Sequence, residues 1–79
     1  MSNSEKLVNA FTGALGIDPS VVKDTLMYQS IAEWDSISHM VLISRIEETF
    51  DVSIDTDDVI DMSSVIKAKE ILKKYNVTF

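Results

Sequence analysis

Few residues in this chain could do chemistry. There is one histidine, His39, and no cysteine. Ser36 stands between Asp35 and Ile37, where a polar stretch gives way to the most apolar part of the sequence. A serine hydroxyl placed there offers two chemistries. It could anchor a prosthetic group, or it could act as a nucleophile with His39, three residues on, as its base. A hydrolase needs nucleophile, base and an orienting group within reach of one another. Nothing in the sequence points to an oxyanion hole, and 79 residues leave little room for a substrate pocket. The anchor is therefore the better reading, with His39 a partly buried helix residue. A plainer reading stands beside it: Asp and Ser are both leading helix N-caps, so Asp-Ser at a helix start requires no function.

Metal chemistry finds no support. Lack of cysteine excludes disulfides, thiolate sites and a cysteine nucleophile within these residues. Asp51-Val52-Ser53-Ile54-Asp55 begins like a calcium loop, but that loop needs glycine at its sixth position and a bidentate acid at its twelfth. Thr56 and Met62 stand there.

Charge narrows the partners. The formal net charge is −6, and it is unevenly spread. Between Glu33 and Asp61, Arg45 is the only base among acids that include Asp35, Glu47, Glu48, Asp51, Asp55, Asp57 and Asp58. Beyond Met62, lysines at 67, 69, 73 and 74 face Glu70 alone. A nucleic-acid binder needs a basic stripe to neutralise phosphates, and the acidic middle would repel them. It would instead speed encounter with basic patches on proteins. No apolar run approaches the roughly 18 residues of a membrane span. The opening residues lack the basic-then-apolar pattern of a signal peptide. A cytoplasmic monomer forming a single domain is the expectation.

The elements that must position Ser36 follow from periodicity and caps. Ser2 and Glu5 form a capping box. Leu7, Val8, Phe11, Ala14 and Leu15 then share a helix face, and Gly16 can end it, which predicts a helix over about 3–15. Gly13 weakens its last turn. Asp18-Pro19-Ser20 reads as a turn or a one-turn helix start. The long stretch from there to Asp35 has no period, but its apolar residues suggest that it packs down, with Trp34 covering one end of the core. A second helix is predicted over about 36–50, with Leu42, Ile43, Ile46 and Phe50 inward. Ile37 and Val41 fall outward, flanked by Arg45, Glu47 and Glu48. Together with Asp35 these make a candidate docking surface. Val52 and Ile54 alternate inward along the next loop. Asp55-Thr56-Asp57-Asp58 signals a short helix with a capping side chain and dipole-favoured acids. Ser63-Ser64 offers a fresh cap for a last helix with Val65, Ala68, Ile71, Leu72 and Tyr75 inward, a stop at Asn76 and a short tail. The fold class is all-α: a small four-helix bundle of three main helices and one short third helix, with a long first loop.

Over nearly its whole length the chain resembles the acyl carrier proteins. That family carries Asp-Ser-Leu at the start of its second helix, here Asp35-Ser36-Ile37. It continues with an apolar helix ending in Glu-Glu-x-Phe, here Glu47-Glu48-Thr49-Phe50, then an acidic loop with a buried isoleucine, here Asp51 to Ile54. A short acidic helix and a final helix opening with valine match Asp55–Asp61 and Val65. The resemblance implies that Ser36 receives 4′-phosphopantetheine from coenzyme A through a magnesium-dependent phosphopantetheinyl transferase. It implies a carrier, not an enzyme: the arm's thiol would hold acyl groups as thioesters, for acyl-loading and acyl-using enzymes with basic patches. Met40, Ile46, Ile54 and Met62 are then the candidate surroundings of the acyl cargo.

Two departures shape the expectation. Ile37 replaces the family's leucine. Fatty-acid carriers hold acids along the outer face of the second helix, and here Ser38, Val41, Ser44 and Arg45 interrupt it. Partners outside the standard fatty-acid enzymes, in secondary metabolism or surface-polymer modification, are therefore expected. Peptidyl carriers place glycines before the serine, where this chain has Glu33-Trp34-Asp35. An amino-acyl or peptidyl carrier ranks lower for that reason. The rival from another class is an acidic docking module that is never modified.

Overall fold

The computed structural model describes all 79 residues. Four α-helices follow in order: α1 (Asn3–Leu15), α2 (Ser36–Phe50), α3 (Thr56–Asp61) and α4 (Val65–Lys74), with a 3-10 turn at Pro19–Val21. The bundle is all-α, as the periodicity predicts. Its core is one continuous cluster, built from Leu7, Ala10, Phe11 and Leu15 of α1, Leu42, Ile43 and Ile46 of α2, and Val65, Ala68, Ile71 and Leu72 of α4.

Local chemistry explains the helix ends. Both bonds of the Ser2–Glu5 capping box form. Gly16 ends α1 in the left-handed region at φ 66°, where a side chain would be strained. α1 runs unbroken through Gly13, and a close approach accounts for that glycine: a Cβ there would lie 3.0 Å from Arg45 Nη1 on α2. α2 starts with Asp35 as N-cap, its carboxylate accepting from the Ser38 N–H at 2.8 Å. α4 starts with Ser64, whose hydroxyl accepts from the Lys67 N–H. α3 differs from the expectation. Asp55 is its N-cap residue, but the side chain makes no capping bond; the Asp55 N–H donates to the Tyr75 hydroxyl instead.

The long loop packs down, and tertiary hydrogen bonds hold it. Leu26 and Trp34 join the core, with Val22, Tyr28 and Ile31 half-buried beside it. Tyr28 N–H donates to Ser63 C=O, Val65 N–H to Leu26 C=O, and Met27 and Ser64 form an antiparallel bridge. Thus the start of α4 and the loop before α2 are one joint. The tail is also fixed, which the sequence pattern did not indicate. Val77 is buried in the core, Phe79 meets Phe50 edge to face, and Asn3 Nδ2 donates to Thr78 C=O.

Candidate functional site

Three helix starts in this chain carry a serine at or beside the cap, and their geometry separates them. Ser2 and Ser64 are themselves N-caps, each hydroxyl accepting a main-chain N–H. At α2 the cap is Asp35, and Ser36, the first helical residue, is exposed. The structural duty that would explain a serine there is performed by its neighbour. The Ser38 main-chain N–H, aimed at the Asp35 carboxylate, holds that acid below its ordinary pKa.

Behind Ser36 lies a network centred on His39. The Trp34 indole Nε1–H donates to His39 Nδ1 at 2.9 Å. Since Nδ1 accepts, the neutral ring carries its proton on Nε2, which faces the Val59 carbonyl of α3 at 2.8 Å. Trp34 stacks on the imidazole with centroids 6.0 Å apart, and Tyr28 packs against it at 5.2 Å. Phe11 of α1 closes the cluster edge-on to Trp34. His39 is half-buried, as expected of a helix residue at that position. With both ring nitrogens committed, neither is left to take a proton from Ser36. This arrangement removes the Ser36–His39 hydrolase reading.

The outer face of α2 is apolar beside the serine. Ile37 is 77% exposed, Met40 56% and Val41 46%, and on α3 Ile60 is 76% exposed. Met40 therefore belongs with Ile37 and Val41. The candidate surroundings of the acyl cargo are thus divided, with Met40 at the surface. The other three members of that set lie deeper. Ile46 and Met62 are fully buried in the core, and Ile54 is half-buried against it.

Two charged residues of the expected docking surface have internal work. Glu47 Oε2 accepts from the Ile54 N–H at 2.8 Å, so it holds the loop after α2. Arg45 reaches across to Gly13 on α1, away from the serine end. Glu48 and Asp35 are exposed. Sequence reasoning missed the role of Asp58. Read as a dipole acid at the start of α3, it is only 7% exposed and binds α4. Its carboxylate accepts from Lys74 Nζ and from the Tyr75 hydroxyl, the latter at 2.7 Å. The Lys74 bond, then the Tyr75 bond, pull the Asp58 pKa down, and Asp58 in turn raises that of Lys74. No group of three or more His, Cys, Asp or Glu side chains could hold a metal ion. No helix is long and apolar enough to cross a membrane.

A family model described as a phosphopantetheine attachment site matches residues 5–68. The chain belongs to that family. It is a carrier domain of the acyl carrier protein type, and its prosthetic group is covalent 4′-phosphopantetheine. Domains of this kind carry rather than catalyse, and they act with partner enzymes such as transferases. No solved structure matches the carrier domain significantly.

Proposed function

We propose that Ser36 is the attachment residue and that the chain is an acyl carrier protein serving a specialised pathway. The observation that carries the first part is the division of labour at the start of α2: Asp35 caps the helix, and the exposed Ser36 has no capping duty. A phosphodiester on that residue stands at the positive end of a helix of 15 residues, where the dipole favours negative charge. In loading, the Ser36 oxygen forms a bond to the phosphorus nearer pantetheine in coenzyme A. The pyrophosphate P–O bond breaks, adenosine 3′,5′-bisphosphate leaves, and the serine proton passes to the transferase or solvent. The arm then supplies a thiol for thioester chemistry, which a chain without cysteine lacks.

The residues of this chain do the rest. Asp35 fixes the first turn of α2, and the Trp34–His39 network backs it. The exposed Ile37, Met40 and Val41 of α2, together with Ile60 next to the Val59 that meets His39, form an apolar docking surface on an acidic stretch. Such a surface suits partners that present an apolar contact rimmed by basic side chains, with Glu48 and Asp35 supplying the charge. It is poorly matched to enzymes that read a continuous row of acids, which supports a pathway apart from standard fatty-acid synthesis. The test is to load the chain and offer it to fatty-acid synthase enzymes beside a fatty-acid carrier. Turnover at least tenfold lower than that carrier's is expected, and equal turnover would overturn the specialised reading. Peptide mapping of the loaded chain should place the added mass on the fragment that contains Ser36.

A further inference from the structure

The bond between His39 and the Val59 carbonyl is flanked in sequence by the exposed docking residues. Met40 follows His39 on α2, and Ile60 follows Val59 on α3. α3 has six residues and no side-chain cap, so little within the helix itself holds it in place. Its polar ties to the bundle are Asp58 to Lys74 and Tyr75 and a longer Asp61–Lys67 pair on one side, and Val59, itself packed on the core, to His39 on the other. The second tie continues through the imidazole to the Trp34 indole in the core.

We propose that His39 is a positioning residue: as a neutral imidazole it clasps Trp34, α2 and α3, keeping Ile60 in register with Ile37, Met40 and Val41 for the phosphopantetheinyl transferase that loads Ser36. This rests on the carrier reading of Ser36. The clasp works in one protonation state. An imidazolium carries N–H on both nitrogens, so its Nδ1–H would oppose the Trp34 indole N–H, leaving a buried donor without an acceptor. The surroundings offer nothing to offset this. From the loop, Tyr28 is the titratable group packed on the ring. From α3 the ring meets a main-chain carbonyl, and Asp58 beside it is turned to Lys74 and Tyr75. On its own helix, the Asp35 carboxylate is committed to the Ser38 N–H.

One histidine and one tryptophan give two unambiguous nitrogen signals in the labelled full chain. At about pH 8 His39 should be the Nε2–H tautomer. In His39→Phe the Trp34 indole proton, freed of its acceptor, should exchange with water at least tenfold faster than in wild type, and the Val59 and Ile60 amides should shift. An Nδ1–H tautomer, or an indole indifferent to that substitution, would overturn the clasp. Docking is read as the phosphopantetheinyl transferase's KM for the chain. His39→Phe keeps an aromatic ring and loses both bonds; its KM should rise about three- to tenfold, the worth of a hydrogen bond or two, with kcat unchanged. His39→Gln retains a donor for Val59, so its KM should rise less than that of His39→Phe. A His39→Phe chain that is folded and docks with the wild-type KM would overturn the proposal. If that variant does not fold, the wild-type tautomer and His39→Gln decide. A wild-type chain that is never loaded sinks the Ser36 reading and the docking role with it, while the two nitrogen signals still show whether the clasp exists.

Discussion

The two faces of α2 do opposite work with similar residues. Inward, Leu42, Ile43 and Ile46 are buried and join α1 to α4 through the core. Outward, Ile37, Met40 and Val41 are equally apolar and lie open to solvent beside Ser36. The difference teaches that apolarity alone does not assign a role. The inner residues stabilise the bundle by leaving water. The outer residues bury less of their surface and are available to a partner.

The comparison breaks most visibly at the inner face. Ile46→Ala should cost about 2–5 kcal/mol, the transfer term plus an unfilled cavity. That is a large share of the roughly 5–15 kcal/mol available to a domain. Urea denaturation would show it as a midpoint shift, and a variant as stable as wild type would refute the packed core. A smaller effect belongs to Ser64, which caps α4 and pairs with the loop. Ser64→Ala should cost about 1 kcal/mol by the same measurement, with no change in loading at Ser36.

Asp58 sharpens the comparison through pH. Its carboxyl is held below the ordinary value of 3.8 in the folded chain, so folding favours the ionised form. The stability it supplies is complete above that value and drains as the pH falls from there through the lower folded value. Asp58→Asn should therefore be less stable than wild type near neutrality, and the two should converge on acidification below about pH 4. A stability gap that persists in acid would contradict the ion pair as its source. The smallest folding effect is at the outer face. Ile37→Ala should leave stability within about 0.5 kcal/mol while raising the transferase KM severalfold, which separates docking from folding in one variant.

Much of the frame was legible in the sequence because local rules fix it. The capping box at Ser2, the glycine stop at Gly16 and the period of α2 are each decided within a few residues. The site was legible in part. Ser36 and the apolar step to Ile37 and Val41 stood out as a pattern. What escaped depends on residues distant in the chain. Asp58 fits the local rule for a helix start, and its binding to Lys74 and Tyr75 cannot be read from its neighbours. His39 drew attention through its spacing from Ser36, yet its hydrogen bonds run to Trp34 and Val59. Met40 was grouped with Ile46, Ile54 and Met62 for its apolarity, and the structure separates it from them by exposure. The tail gave no signal because three residues have no period, while Val77 joins the core and Phe79 meets Phe50, far away in sequence.

The central claim, that Ser36 carries the arm, is tested most directly by intact mass. The full chain and its Ser36→Ala variant are incubated with coenzyme A, magnesium and a broad phosphopantetheinyl transferase, with a known carrier in the same tube. Wild type should gain one phosphopantetheine and the variant none. No gain by wild type while the known carrier is loaded, or an equal gain by the variant, would contradict it.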